Sequence, residues 1–132
     1  METGLHDAIG DRVKRIVLRT LLLASLGCSP AASAHAFLDH ASPRVGSTVR
    51  ASPPELKLWF TQELEPAFST VRVEDGTGNR IDKNNSTVDS DDPTLLHVPL
   101  PKLAPGRYRV IWRALSVDTH VTEGDFTFEV AP

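Results

Sequence analysis

His35 directly follows Ala32-Ser33-Ala34, a small-x-small pattern of the kind a signal peptidase cuts, and a cut after Ala34 would make it the first residue of the mature protein. An N-terminal histidine is a chelator, because its free α-amine and its ring Nδ1 close a six-membered ring on one metal ion. Near the other end of the chain, Asp118-Thr119-His120 offers a carboxylate and a second imidazole. Two residues apart in extended backbone, Asp118 and His120 would present both groups on one face. Taken alone, that pair also fits a solvent-facing Asp-x-His in a turn, or an aspartate orienting a neutral imidazole. Joined to His35 it makes three nitrogens and one oxygen, a donor set whose natural guest is a tetragonal Cu(II) ion, with zinc as the competitor. The amine must give up a proton to bind, so affinity is expected to weaken as pH falls.

Other candidates fall away on spacing or composition. His40 follows His35 by five residues, an odd offset that sets the two on opposite faces of a strand, so a surface or supporting position suits it better. His97 alternates outward between Leu96 and Val98, and His6 lies upstream of the cut. Met1 is the only methionine and Cys28 the only cysteine, both before His35. A Cu(I) site built from thioether or thiolate is therefore excluded from the mature domain, and no intrachain disulfide can form. The acidic run Asp89-Ser90-Asp91-Asp92 lacks the mid-loop glycine and closing glutamate of a calcium loop. No glycine-flanked serine elbow, phosphate-cradling glycine loop or His-Glu-x-x-His is present, and Glu63 with Glu65 comes without any cue to a cleft. From His35 to Pro132, 14 acidic residues stand against 10 basic ones, a net of −4, with the basic residues scattered singly. That pattern excludes a nucleic-acid footprint and suits a domain that handles cations.

Two things must position this donor set: a leader whose removal exposes His35, and a scaffold that brings the chain ends together. Met1 to Asp11 is polar, Arg12, Lys14, Arg15 and Arg19 are basic, and Ile16 to Leu26 is apolar but for Arg19, Thr20 and Ser25. This order predicts a secretory signal peptide over residues 1–34, too short in its apolar run to span a bilayer comfortably. The competing readings are an uncleaved membrane anchor and a lipidated Cys28. The second would keep His35 internal, and Ser25 fits a lipoprotein signal poorly. The mature domain would span residues 35–132, enough for one core and no more.

Within it the apolar pattern has the period of strands. Leu56, Leu58 and Phe60 alternate with Glu55, Lys57 and Trp59. Val71 and Val73 repeat the pattern, Tyr108, Val110 and Trp112 alternate with arginines, and Phe126, Phe128 and Val130 close the chain. Ala36 to Ala41 reads as an edge strand, Thr94 to Val98 as a further strand, and Asp75-Gly76-Thr77-Gly78-Asn79 as a turn between antiparallel strands. Lys83 to Pro93 is too polar to bury and reads as an exposed loop. About seven short strands, Pro and Gly turns and no helical period predict an all-β, antiparallel Greek-key sandwich or barrel. Trp59 should be more exposed than Trp112.

Taken together, the order of motifs resembles the CopC family of periplasmic copper-resistance proteins. His35 follows Ala-x-Ala; Ser42-Pro43 and Gly46-Ser47 come soon after; Leu58-Trp59-Phe60 leads to Glu65-Pro66-Ala67-Phe68-Ser69. Then come Leu103-Ala104-Pro105-Gly106-x-Tyr108-x-Val110-x-Trp112, Ser116-x-Asp118-x-His120 and Phe126-Thr127-Phe128. The resemblance implies a cupredoxin-like Greek-key barrel in the periplasm that binds Cu(II) through the amine and ring of His35, the carboxylate of Asp118 and the ring of His120. It also implies delivery to, or receipt from, an inner-membrane CopD-like transporter. Gln62 stands where many relatives carry a glutamate, with Glu63 beside it, and Thr119 stands where the family pattern has glycine. The methionine-rich Cu(I) loop of some relatives is absent, so a single Cu(II) site is implied, and with no catalytic motif in the chain no enzymatic activity is expected. Two alternatives from other classes are an oxidative copper enzyme of the N-terminal-histidine type and a metal-free β-sandwich interaction module. The short chain, with no flat aromatic surface, weighs against the enzyme.

Overall fold

Apolar-polar alternation builds two sheets whose inner faces share one core. The computed structural model describes residues 35–132; the leader expected over 1–34, with Cys28, lies outside the described residues. The strands are β1 (Leu38–Ser42), β2 (Thr48–Val49), β3 (Glu55–Phe60), β4 (Thr70–Glu74), β5 (Thr87–Val88), β6 (Leu95–Pro99), β7 (Gly106–Leu115) and β8 (Val121–Val130), with one 3₁₀ turn at Pro66–Phe68. One sheet has the order β1-β3-β6-β5 and the other β2-β8-β7-β4. The chain crosses between them repeatedly, which is the expected sandwich.

The inner faces carry the side chains that the alternation singles out. Leu56, Leu58 and Phe60 of β3, Val71 and Val73 of β4, Tyr108, Val110 and Trp112 of β7, and Phe126, Phe128 and Val130 of β8 are all buried. Trp59 faces outward and is half-buried while Trp112 is buried, as expected. Trp112 meets Phe60 edge-on across the core at 5.1 Å. It also lies so close to its cross-strand partner Gly124 that a Cβ there would come within 2.5 Å of an indole carbon, which accounts for a glycine inside a strand. The Tyr108 hydroxyl donates to the Ala104 carbonyl at 2.6 Å, so the buried ring keeps its polar end satisfied.

The departures are short elements. β2 and β5 have two residues each, too few to show any period, and they raise the strand count to eight. β5 lies inside the stretch expected to be all loop, pairing with β6, and β2 pairs with β8 in parallel. After the Asp75–Asn79 turn the chain does not return as a full strand. Arg80 makes a single bridge to Glu74, and the segment is held instead by the buried carboxylate of Asp82. The last strand begins at Val121 rather than near Asp125, so β7 and β8 form a long hairpin whose tip carries Asp118 and His120.

Candidate metal centre

The two halves of the predicted donor set meet at one end of the sandwich. The segment that carries His35 enters the fold through Ala36, which is fully buried, while His35 and Phe37 on either side are exposed. Its backbone is tied to both sheets. On the β3 side, Phe37 N–H donates to Thr61 Oγ1 at 3.0 Å, and Thr61 N–H donates to the Phe37 carbonyl at 2.9 Å. On the β8 side, Thr122 Oγ1 donates to the Ala36 carbonyl at 2.5 Å.

The hairpin tip is shaped by Ser116, which is almost fully buried. Its N–H donates to the His120 carbonyl at 3.0 Å, and the Thr119 N–H donates to its carbonyl at 2.9 Å. Its hydroxyl accepts from the His120 N–H at 3.3 Å and donates to Asp118 Oδ1. Thr119 has φ of 75°, a left-handed conformation that a β-branched residue rarely takes. Extended backbone is therefore not what brings Asp118 and His120 together, as the spacing had predicted. A five-residue turn from Ser116 to His120 does so, and its left-handed position at Thr119 is one that glycine takes without strain. The connection after β3 braces this tip: Val117 N–H donates to the Glu63 carbonyl, Glu65 N–H donates to the Leu115 carbonyl, and Leu64 bridges Ser116.

In this frame the ring centroids of His35 and His120 stand 4.6 Å apart. That separation suits two imidazoles sharing an ion, given metal–nitrogen bonds of about 2.0–2.1 Å. His120 Nδ1 lies 3.2 Å from Asp118 Oδ2, with the side chains half and one-third exposed. The Ser116 hydroxyl, and after it the His120 ring, hold the Asp118 carboxyl below its ordinary value, so it is an anion at neutral pH. His120 thus contacts both His35 and Asp118, and among the described residues no three His, Cys, Asp or Glu side chains make a ready-made cage.

His40 and His97 lie elsewhere. His40 stacks on Trp59 with centroids 4.4 Å apart, and its Nδ1 meets Asp39 at 2.7 Å. His97 contacts Thr87 Oγ1 and Glu55 on the outer face of the first sheet. Gln62 and Glu63 are exposed in the bracing connection. Spacing did not reveal the supporting roles of Ser116, Thr61 and Thr122; of these only Ser116 had a sequence signal, through its place in the Ser116-x-Asp118-x-His120 motif.

The CopC domain family model matches residues 38–131. The chain is similar to protein YobA of Escherichia coli K12, at 35% identity over 103 residues, 77% of this chain and 83% of that one. Among solved structures it is similar to CopC from Methylosinus trichosporium OB3b, at 40% identity and a TM-score of 0.70 over 74% of this chain and 95% of that one. It is also similar to PcoC, a methionine-rich copper resistance protein from Escherichia coli, at 30% identity and a TM-score of 0.65 over 74% and 99%.

Proposed function

The chain belongs to the CopC family, and from that premise we propose that it is an exported, periplasmic copper-resistance protein that carries or buffers Cu(II) through one site and does not turn over a substrate. The ligands are the α-amine and ring of His35, the carboxylate of Asp118 and the ring of His120. The observation that carries this reading is the 4.6 Å approach of the His35 and His120 rings, which joins residues from opposite ends of the domain beside an anionic carboxylate. Three nitrogens and one oxygen suit tetragonal Cu(II), and residues 35–132 contain no sulfur ligand for Cu(I). In this respect the chain differs from its relative PcoC, which is named as methionine-rich.

Residues 1–34 act as a cleaved signal peptide and residues 35–132 as the copper-binding domain. In the uncut chain the His35 nitrogen is a peptide amide, so the chelate exists only after export and cleavage. A bound ion would replace the Asp118–His120 contact with a bond to each side chain. The partner that gives or takes the ion is a CopD-like inner-membrane transporter.

The test is a Cu(II) titration of the exported, processed protein and of a variant with one glycine inserted before His35, read by electron paramagnetic resonance. The insertion should weaken binding greatly and remove one nitrogen from the spectrum, and His97→Ala should change neither. Equal affinity and an equal nitrogen pattern in both proteins would overturn the terminal-amine site.

A further inference from the structure

A ligand set split between the chain terminus and a hairpin tip works only if something holds the two together, since free termini are mobile. The segment before β1 continues onto the first sheet, where β1 pairs with β3. His120 belongs to the β7–β8 hairpin of the second sheet. At the site a side chain of the second sheet reaches across that divide. Thr122 of β8, two residues past His120, donates through Oγ1 to the carbonyl of Ala36, the residue next to His35. Ala36 itself is fully buried, and Thr61 secures the following residue from the β3 side.

We propose that Thr122 is a positioning residue for the copper site: its hydroxyl sets how far His35 reaches towards His120, and so decides whether the terminal amine and the two rings can close on one ion. The inference rests on the copper site proposed above. The bond runs from the strand that follows one ligand to the residue that follows the other, and a side chain on either neighbouring residue of β8 could not replace it. Glu123 points outward to Arg113 at 3.0 Å, and Val121 is exposed and has no hydroxyl to donate. Valine matches threonine in shape and suits a strand, so Thr122→Val removes the hydroxyl while keeping the strand, and Thr122→Ser keeps the hydroxyl.

The full chain is expressed for export, and the processed product is checked by mass spectrometry to begin at His35. In metal-free protein, nuclear Overhauser contacts between the His35 and His120 rings should be present in the parent and in Thr122→Ser, and lost in Thr122→Val. Cu(II) affinity of Thr122→Val should fall about tenfold to a hundredfold, the usual loss when a group that orients a ligand is removed. Its resonance spectrum should change in nitrogen pattern, while Thr122→Ser stays within a few-fold of the parent. Ring contacts and spectrum that stay at parental values in Thr122→Val would overturn the proposal, as would Thr122→Ser behaving like Thr122→Val. Failure of the underlying site shows separately, as a parent protein whose copper spectrum is unaffected by the glycine insertion.

Discussion

Asp82 and Asp118 are both aspartates that turn back on their own loops, and both have carboxyls held below their ordinary value, yet the fold uses them in opposite ways. The Asp82 side chain is fully buried. It accepts from the Val73 N–H at 2.7 Å, the Asn84 N–H at 3.0 Å and the Arg80 guanidinium at 2.7–3.1 Å. Burial pushes its pKa up, and these donors outweigh burial. The Asp118 side chain is one-third exposed, and its Oδ2 faces a histidine ring at 3.2 Å. A carboxylate filled by its own chain is a structural plug. One held in place at Oδ1, with Oδ2 beside an imidazole and the side chain one-third exposed, keeps lone pairs that its own backbone does not fill. The difference is not residue type but how many donors the local backbone aims at it.

The sharpest break in this contrast comes from exchanging effects. Asp118→Ala should lower Cu(II) affinity at least about a hundredfold, roughly 2.8 kcal/mol, while the denaturant midpoint of the metal-free protein moves little, as for other exposed positions. Asp82→Ala should do the reverse: the Val73 and Asn84 amides lose their acceptor, which costs about 1–3 kcal/mol of unfolding free energy, and copper titrations should match the parent. A large stability loss in the first variant, or an affinity loss in the second, would erase the distinction.

Acid sharpens it further. Because the Asp82 carboxyl titrates lower in the folded chain than in the unfolded one, its stabilising share is fully present above about pH 4, the ordinary aspartate range. It is lost as pH falls through the lower folded value. Urea midpoints measured from pH 6 to pH 2.5 should therefore fall less steeply in Asp82→Asn than in the parent, and parallel curves would contradict the assignment.

The smallest effect is expected at the Asp118–His120 turn. Thr119 occupies a left-handed conformation that costs a non-glycine residue about 1–2 kcal/mol, and glycine returns part of that through about 0.5–1 kcal/mol of extra chain freedom. Thr119→Gly should raise the melting temperature by a few degrees at most and leave copper affinity unchanged. A drop in melting temperature would show that Thr119 earns its place by other contacts.

What the sequence determined by itself was the scaffold and the kind of chemistry. Alternation named every residue of the predicted core, from Leu56 to Val130, because a two-sheet sandwich buries one face of each strand and periodicity records which face. The donor types, and the lack of sulfur after residue 34, were equally plain from composition. Tertiary structure decided how the donors meet. Extended backbone was the wrong reason for pairing Asp118 with His120, since a turn with a left-handed Thr119 leaves no periodic trace. The buried entry of Ala36, the plug at Asp82 and the Thr122 tie were not legible, because each depends on a hydrogen bond between groups whose proximity is set by the fold or by turn geometry and not by any repeat. β2 and β5 escaped notice for a related reason: two residues carry no period, and only a neighbouring strand makes them strands.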